Sequence, residues 1–159
     1  MSMRILEDAG AVPDAGPLAD AVAFRERLME LTEASHEAAL RPAQPGGLSH
    51  GLRAAIAARI TRHCAETALA AHYDALAAGA PEAALAEPGA MSDDARLAAI
   101  LAYVDKVTLS PSTASRADID ALRAAGIAEG DIVRLAGLVA FVNYQLRVAL
   151  VLRGLAGAA

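Results

Sequence analysis

The sequence predicts an all-α fold, and three observations carry that reading. Apolar residues make up 55% of the 159-residue chain, and many of them are alanine. Alanine is the strongest helix former, and its side chain is small enough to let helix axes approach closely. Apolar positions recur at three- and four-residue steps along most of the chain, whereas no segment alternates as a half-buried strand does. The expectation is one domain over 18–159, a bundle of six or seven helices, preceded by a flexible arm over 1–17.

The elements follow in order. Residues 1–17 hold two prolines and two glycines and show no period. Leu18–Leu40 reads as a helical run with Val22, Leu28, Leu31 and Leu40 on its buried stripe and a break near Thr32–Ser35. "RPAQPGG" is a loop. Ser49 is an N-cap for a helix from His50 to Arg62, whose buried face is Leu52, Ile56 and Ile60. A second helix covers Cys64–Ala78 with Leu69, Tyr73 and Leu76 inward, and it ends at Gly79 ahead of Pro81. Ser92 or Asp93 caps a helix to Val107. Ser115 and Asp118 form a capping box for Arg116–Ala125, closed by Gly126. Gly130–Leu152 is apolar nearly all round and is expected to be the central buried helix, with Asn143 and Arg147 tying it to a neighbour and Gly137 at a close crossing.

Composition excludes several function classes. Net charge is −5 and only five residues are aromatic, Tyr 3 and Phe 2. A nucleic-acid surface needs clustered Lys/Arg and stacking aromatics. Arg134, Asn143, Gln145 and Arg147 interrupt the longest apolar run, so no membrane span is expected. The start lacks the apolar run of a signal peptide, and the single cysteine excludes an internal disulfide. A soluble cytoplasmic protein is expected.

The residues with chemical potential concentrate in "RITRHCAETALAAHYDALAAG", Arg59–Gly79. It holds Cys64, His63 and His72. His63 and Glu66 share a helical face at a metal-compatible spacing, but His72 falls nearly opposite, so a salt-bridging or solvated role is favoured over a metal site. His36 and His50 are read as exposed near helix ends. Cys64 sits beside Arg62 and His63 near a helix start, an environment that lowers a thiol pKa; the plainer alternative is a small inert core residue.

The segments "GGLSHGLRAAIAARI…LAAHYDAL" and "DARLAAILAYVDKVTLSPSTASRADIDALRAAGIAEGDIVRLAGLVAFVNYQLRVAL" together resemble the carboxymuconolactone decarboxylase / alkylhydroperoxidase D superfamily, in its peroxidase-related branch. The resemblance covers about Leu48–Leu152 and implies an all-α subunit that assembles as a homo-oligomer, a trimer or hexamer. The family's thiol peroxidases carry Glu-x11-Cys-x2-Cys-x3-His. Aligning the histidine on His72 puts Ala65 and Ala68 at the cysteine positions and Arg53 at the glutamate. A disulfide-cycling peroxidase needs both thiols, so that reaction is not expected here. The decarboxylase branch implies instead a histidine serving proton transfer.

On this reading His72 and Cys64 are the candidate catalytic residues. Arg53 and Tyr73 are the candidate substrate-binding residues, Arg53 as a partner for an anionic carboxylate. The function implied is proton transfer on a small carboxylate or lactone. The alternatives are a weak one-cysteine peroxidase through Cys64, or a non-catalytic partner of a catalytically complete relative. No cofactor, metal, nucleic acid or membrane is implied.

Overall fold

The computed structural model describes residues 4–158, and its elements are all helical. In order they are α1 (Ile5–Ala9), α2 (Pro17–Ala23), α3 (Glu26–Leu40), α4 (His50–His63), α5 (Thr67–Ala77), α6 (Ala95–Leu109), α7 (Arg116–Ala124) and α8 (Glu129–Ala156), with short 3-10 turns at Ala83–Ala86 and Pro111–Thr113. Among the described residues the bundle has eight α-helices where six or seven were expected, because the N-terminal segment adds one and Leu18–Leu40 is two helices. Met1–Met3 of the expected arm lie outside the described residues.

The expectation of an irregular arm is corrected over Ile5–Ala9. Ile5, Leu6 and Ala9 are buried, and the Ile5 N–H donates to the Glu33 carboxylate at 2.9 Å. At the other end Gly10 lies so close to α8 that a Cβ there would stand 2.6 Å from Leu152 Cβ. The break between α2 and α3 falls at Phe24–Arg25, not at Thr32–Ser35. Thr32 and His36, with Leu40, form the inner face of α3, while Leu28 and Leu31 are about half exposed at 46% and 48%.

The helix at the centre is α4, not α8. Every residue from Leu52 to Thr61 is buried. Leu52, Ile56 and Ile60 fill the anticipated face, and Ala54, Ala55, Ala57 and Ala58 line the others. A helix faced with methyl groups can be surrounded closely on every side, and here α5, α6, α8 and the 83–86 turn pack around it. Ser49 caps it as expected, its Oγ accepting from Leu52 N–H at 3.0 Å.

Two buried arginines anchor this helix. Arg59 holds Asp105 of α6 through two hydrogen bonds of 2.6 and 2.7 Å and also donates to the Leu85, Glu87 and Ala90 carbonyls. Arg53 donates to the carbonyls of Leu48, Ala39 and Pro45 at 3.0, 2.9 and 3.0 Å, fixing the loop between α3 and α4. Asp94, rather than the expected Ser92 or Asp93, caps α6. Ser115 and Asp118 form the anticipated capping box of α7.

By length and composition α8 is apolar enough to cross a membrane. One face, from Ile132 to Ala149, is buried in the bundle, while Val133, Tyr144, Val151 and Leu155 on other faces are exposed. Two expectations about α8 are corrected. Asn143 and Arg147 bond within their own helix, to the Val139 carbonyl and to Asn143 respectively. Gly137 faces open space rather than a crossing. The buried polar residues of α8 are Asp131, near its start, and Gln145, inside the bundle.

Candidate functional site

His72 lies on α5, where the helix is set by an ion pair at its start. Glu66 caps α5 by accepting from Ala68 N–H at 3.2 Å. Its carboxylate is held by Arg153 of α8 through two bonds of 2.6 Å. Burial alone would raise the Glu66 pKa, but the Arg153 hydrogen bonds outweigh it and hold the group below the usual carboxylate range. Arg153 also donates to the Ala9 carbonyl. One guanidinium therefore joins the start of α5, the end of α8 and the end of α1.

Between α1 and α5 runs a groove of about 440 Å³. Ala68, Leu69, His72 and Leu76 form one wall; Ile5, Asp8 and Ala9 form the other. This volume falls within the usual range of small-molecule sites, and such sites are mostly apolar with a few placed polar groups. Among the described residues Asp8 is the only acidic side chain lining the groove, and no Lys or Arg lines it. Ala68, four residues before His72, shares its face and its groove. Ala65, at the other aligned cysteine position, sits exposed in the α4–α5 turn with φ +56°, a left-handed conformation unusual for alanine.

Behind His72 lies a polar chain drawn from three helices. His72 Nε2 is 3.3 Å from Nε2 of His36 on α3. His36 Nδ1 is 3.4 Å from Oε1 of Gln145 on α8. The Tyr73 hydroxyl donates to the same Oε1. The rings are packed as well as bonded: His36 stacks on Tyr73 at 5.8 Å and meets His72 at 5.2 Å between centroids. His36, Tyr73 and Gln145 are almost wholly buried.

Burial disfavours the charged imidazolium. It lowers the His36 pKa, and it drives His72 down to about 4, with His36 and Arg41 adding smaller effects in the same direction. Both rings are therefore neutral at pH 7 and able to accept a proton. Burial raises the Tyr73 pKa, so its phenol stays protonated and remains a donor.

The four sequence-predicted site residues separate. His72 and Tyr73 share the polar chain. Tyr73 is fully buried and hydrogen-bonds Gln145, so its predicted contact with a substrate is corrected to a supporting one. Arg53 is corrected as a carboxylate-binding residue: it is 3% exposed and its guanidinium is engaged by three backbone carbonyls. Cys64 stands at the C-cap of α4, the negative end of the helix, rather than at a helix start. Burial against the core pushes its pKa up, which fits the inert core residue rather than the activated thiol.

His36 is 2% exposed, which corrects its assignment as a surface residue. It and Gln145 are the members of the site that the sequence reading missed. The available signal was His36 falling four residues after Thr32 on the face that ends at Leu40. His63 bonds to Asp105 at 2.8 Å, apart from Glu66 and its Arg153 partner. Among the described residues no three His, Cys, Asp or Glu side chains converge as a metal site.

No family model, curated protein or solved structure matches the chain.

Proposed function

We propose that the chain is a proton-transfer enzyme of the carboxymuconolactone decarboxylase / alkylhydroperoxidase D-like type, with His72 as its base and a small lactone or related carbonyl compound as its substrate. The observation that carries this reading is a neutral imidazole at the wall of an apolar groove, backed by a second imidazole inside the bundle. An imidazole that is unprotonated at neutral pH and lines an apolar groove can take a proton from the carbon next to a carbonyl, as a weaker base than one titrating near pH 7. The carboxylate form of the substrate loses its support. Arg53 is committed to the loop, and Asp8 would repel an anion in the groove. The superfamily assignment draws support from the all-α order of elements and from Ala68 and His72 sharing one groove. Cys64 gives little support to the peroxidase alternative, since its thiol is held protonated by burial.

The test is turnover of a panel of small γ-lactones by the wild-type chain and by His72→Gln. Loss of the base should lower kcat/KM by about 10²–10⁴. Unchanged turnover would remove His72 from the mechanism.

A second reading, assembly with another copy or with a complete relative, rests on the exposed apolar residues. Val133, Tyr144, Val151 and Leu155 of α8 and Leu28 and Leu31 of α3 remain outside the core. On α8, Val133, Gly137, Ala140 and Tyr144 recur at three- and four-residue steps, the spacing of a helix–helix seam, and Val151 and Leu155 continue the stripe two turns further on. Sedimentation of the wild type and of Val151→Glu tests it: the wild type should be oligomeric and the variant monomeric. A monomeric wild type that turns over a lactone would remove this reading.

A further inference from the structure

The polar chain from Tyr73 to His72 has a direction, and that direction decides which nitrogen of His72 is the base. A neutral imidazole carries one proton, so a bond between two imidazole nitrogens requires one ring to donate and the other to accept. The His36–His72 contact joins Nε2 to Nε2 at 3.3 Å. Which ring donates follows from the orientation of the Gln145 amide, since amide orientation is set by the network around it.

Two arrangements satisfy the contacts. In the first, Gln145 Oε1 accepts from the Tyr73 hydroxyl and from His36 Nδ1–H. His36 Nε2 then has a free lone pair and accepts from His72 Nε2–H, leaving His72 Nδ1 as an unprotonated acceptor. The one group without a partner is Gln145 Nε2. In the second, the amide is turned over. Nε2 donates to Tyr73 and to His36 Nδ1, His36 donates from Nε2, and the proton of His72 moves to Nδ1. This leaves Oε1 without a donor. It also strands the Tyr73 O–H, whose one hydrogen-bond partner is Gln145. Tyr73 and Gln145 are both 0% exposed, so water does not relieve these groups. Two orphaned groups replace one, and buried orphans are costly.

We infer that Tyr73, Gln145 and His36 act as positioning residues that hold His72 in the Nε2–H tautomer, presenting Nδ1 as its basic atom. The burial that raises the Tyr73 pKa keeps the phenol a donor and so keeps the chain polarised from Tyr73 towards His72. The catalytic use of Nδ1 rests on the proton-transfer reading above; the polarity itself does not, and it is measurable without a substrate.

Two-bond ¹H–¹⁵N correlation spectra of the full chain at pH 7 distinguish protonated from unprotonated ring nitrogens. The His72 signals are assigned by their loss in His72→Gln. In the wild type, His72 is expected to be protonated at Nε2 and His36 at Nδ1. In Tyr73→Phe the stranded hydroxyl is gone, so the turned amide becomes competitive. The ratio of Nδ1–H to Nε2–H in His72 should then rise about tenfold, the equivalent of one relieved buried group. A purely packing role for Tyr73 would leave that ratio unchanged.

A wild-type His72 protonated at Nδ1 overturns the inference. So does a folded Tyr73→Phe with the wild-type tautomer ratio. Should Tyr73→Phe not fold, the wild-type spectrum alone decides the polarity. If the Nε2–H tautomer is found but His72→Gln turns over lactones normally, the proton-transfer reading fails and the polarity stands.

Discussion

Lowering the pH from 7.5 to 5 should destabilise this fold, and His72 should account for a measurable share of the loss. A histidine whose pKa is depressed by folding binds protons more readily in the unfolded chain. Its contribution to stability is therefore intact above the unfolded value and is lost as pH falls through the interval between the two values. For His72 the interval runs from 6.5 to about 4. Two-state linkage over that interval gives about 2 kcal/mol of lost stability by pH 5, reduced to about 1–2 kcal/mol because the ring lines an open groove. His36 shifts in the same direction and adds to the loss. Glu66 and Asp105 have lowered pKa values, so they weaken the fold mainly in more acid solution. His36, Arg41, Glu37 and Asp8 also act on His72, each less strongly than burial. Urea unfolding at pH 7.5 and at pH 5 measures the difference, first for the wild type and then for His72→Gln, which keeps a neutral polar side chain. The variant should lose less stability on acidification than the wild type. Equal stability of the wild type at both pH values, or an unchanged difference in the variant, would refute the reasoning.

Three further outcomes are expected. Arg59→Met leaves Asp105 with His63 as its remaining partner, removes a donor from three carbonyls around α4, and should cost about 3 kcal/mol in chemical unfolding. Ala65→Gly relieves a left-handed alanine and should stabilise the chain by about 1 kcal/mol, read as a raised Tm. Cys64 should react with iodoacetamide at pH 7 more slowly than free glutathione, because burial holds its thiol protonated; a faster reaction would reopen the one-cysteine alternative.

The helices were legible because their signals are local. Ser49, the Ser115–Asp118 pair and Gly126 mark ends through groups within a few residues. The spacing of Leu52, Ile56 and Ile60 marks a face in the same way. What escaped depends on partners distant in the chain. The central place of α4 was hidden because alanine reads the same at a surface as in a core. The continuous apolarity of α8 pointed to the wrong helix. His36 was misplaced because a buried histidine needs a partner, and its partners are 36 and 109 residues away. Arg53 looked like a ligand-binding residue because its three carbonyl partners have no sequence signature. His72 was placed by its alignment with a family motif, and the groove beside it became visible only once α1 packed against α5 and α8.

The central claim is that His72 moves a proton, and the most direct measurement is exchange of a carbon-bound proton with solvent. A small γ-lactone is incubated with the chain in D₂O, and loss of the signal from the hydrogen next to the carbonyl is followed by ¹H NMR. Deuterium wash-in is expected with the wild type well above the buffer rate and none above that rate with His72→Gln. Exchange by His72→Gln at the wild-type rate would contradict it.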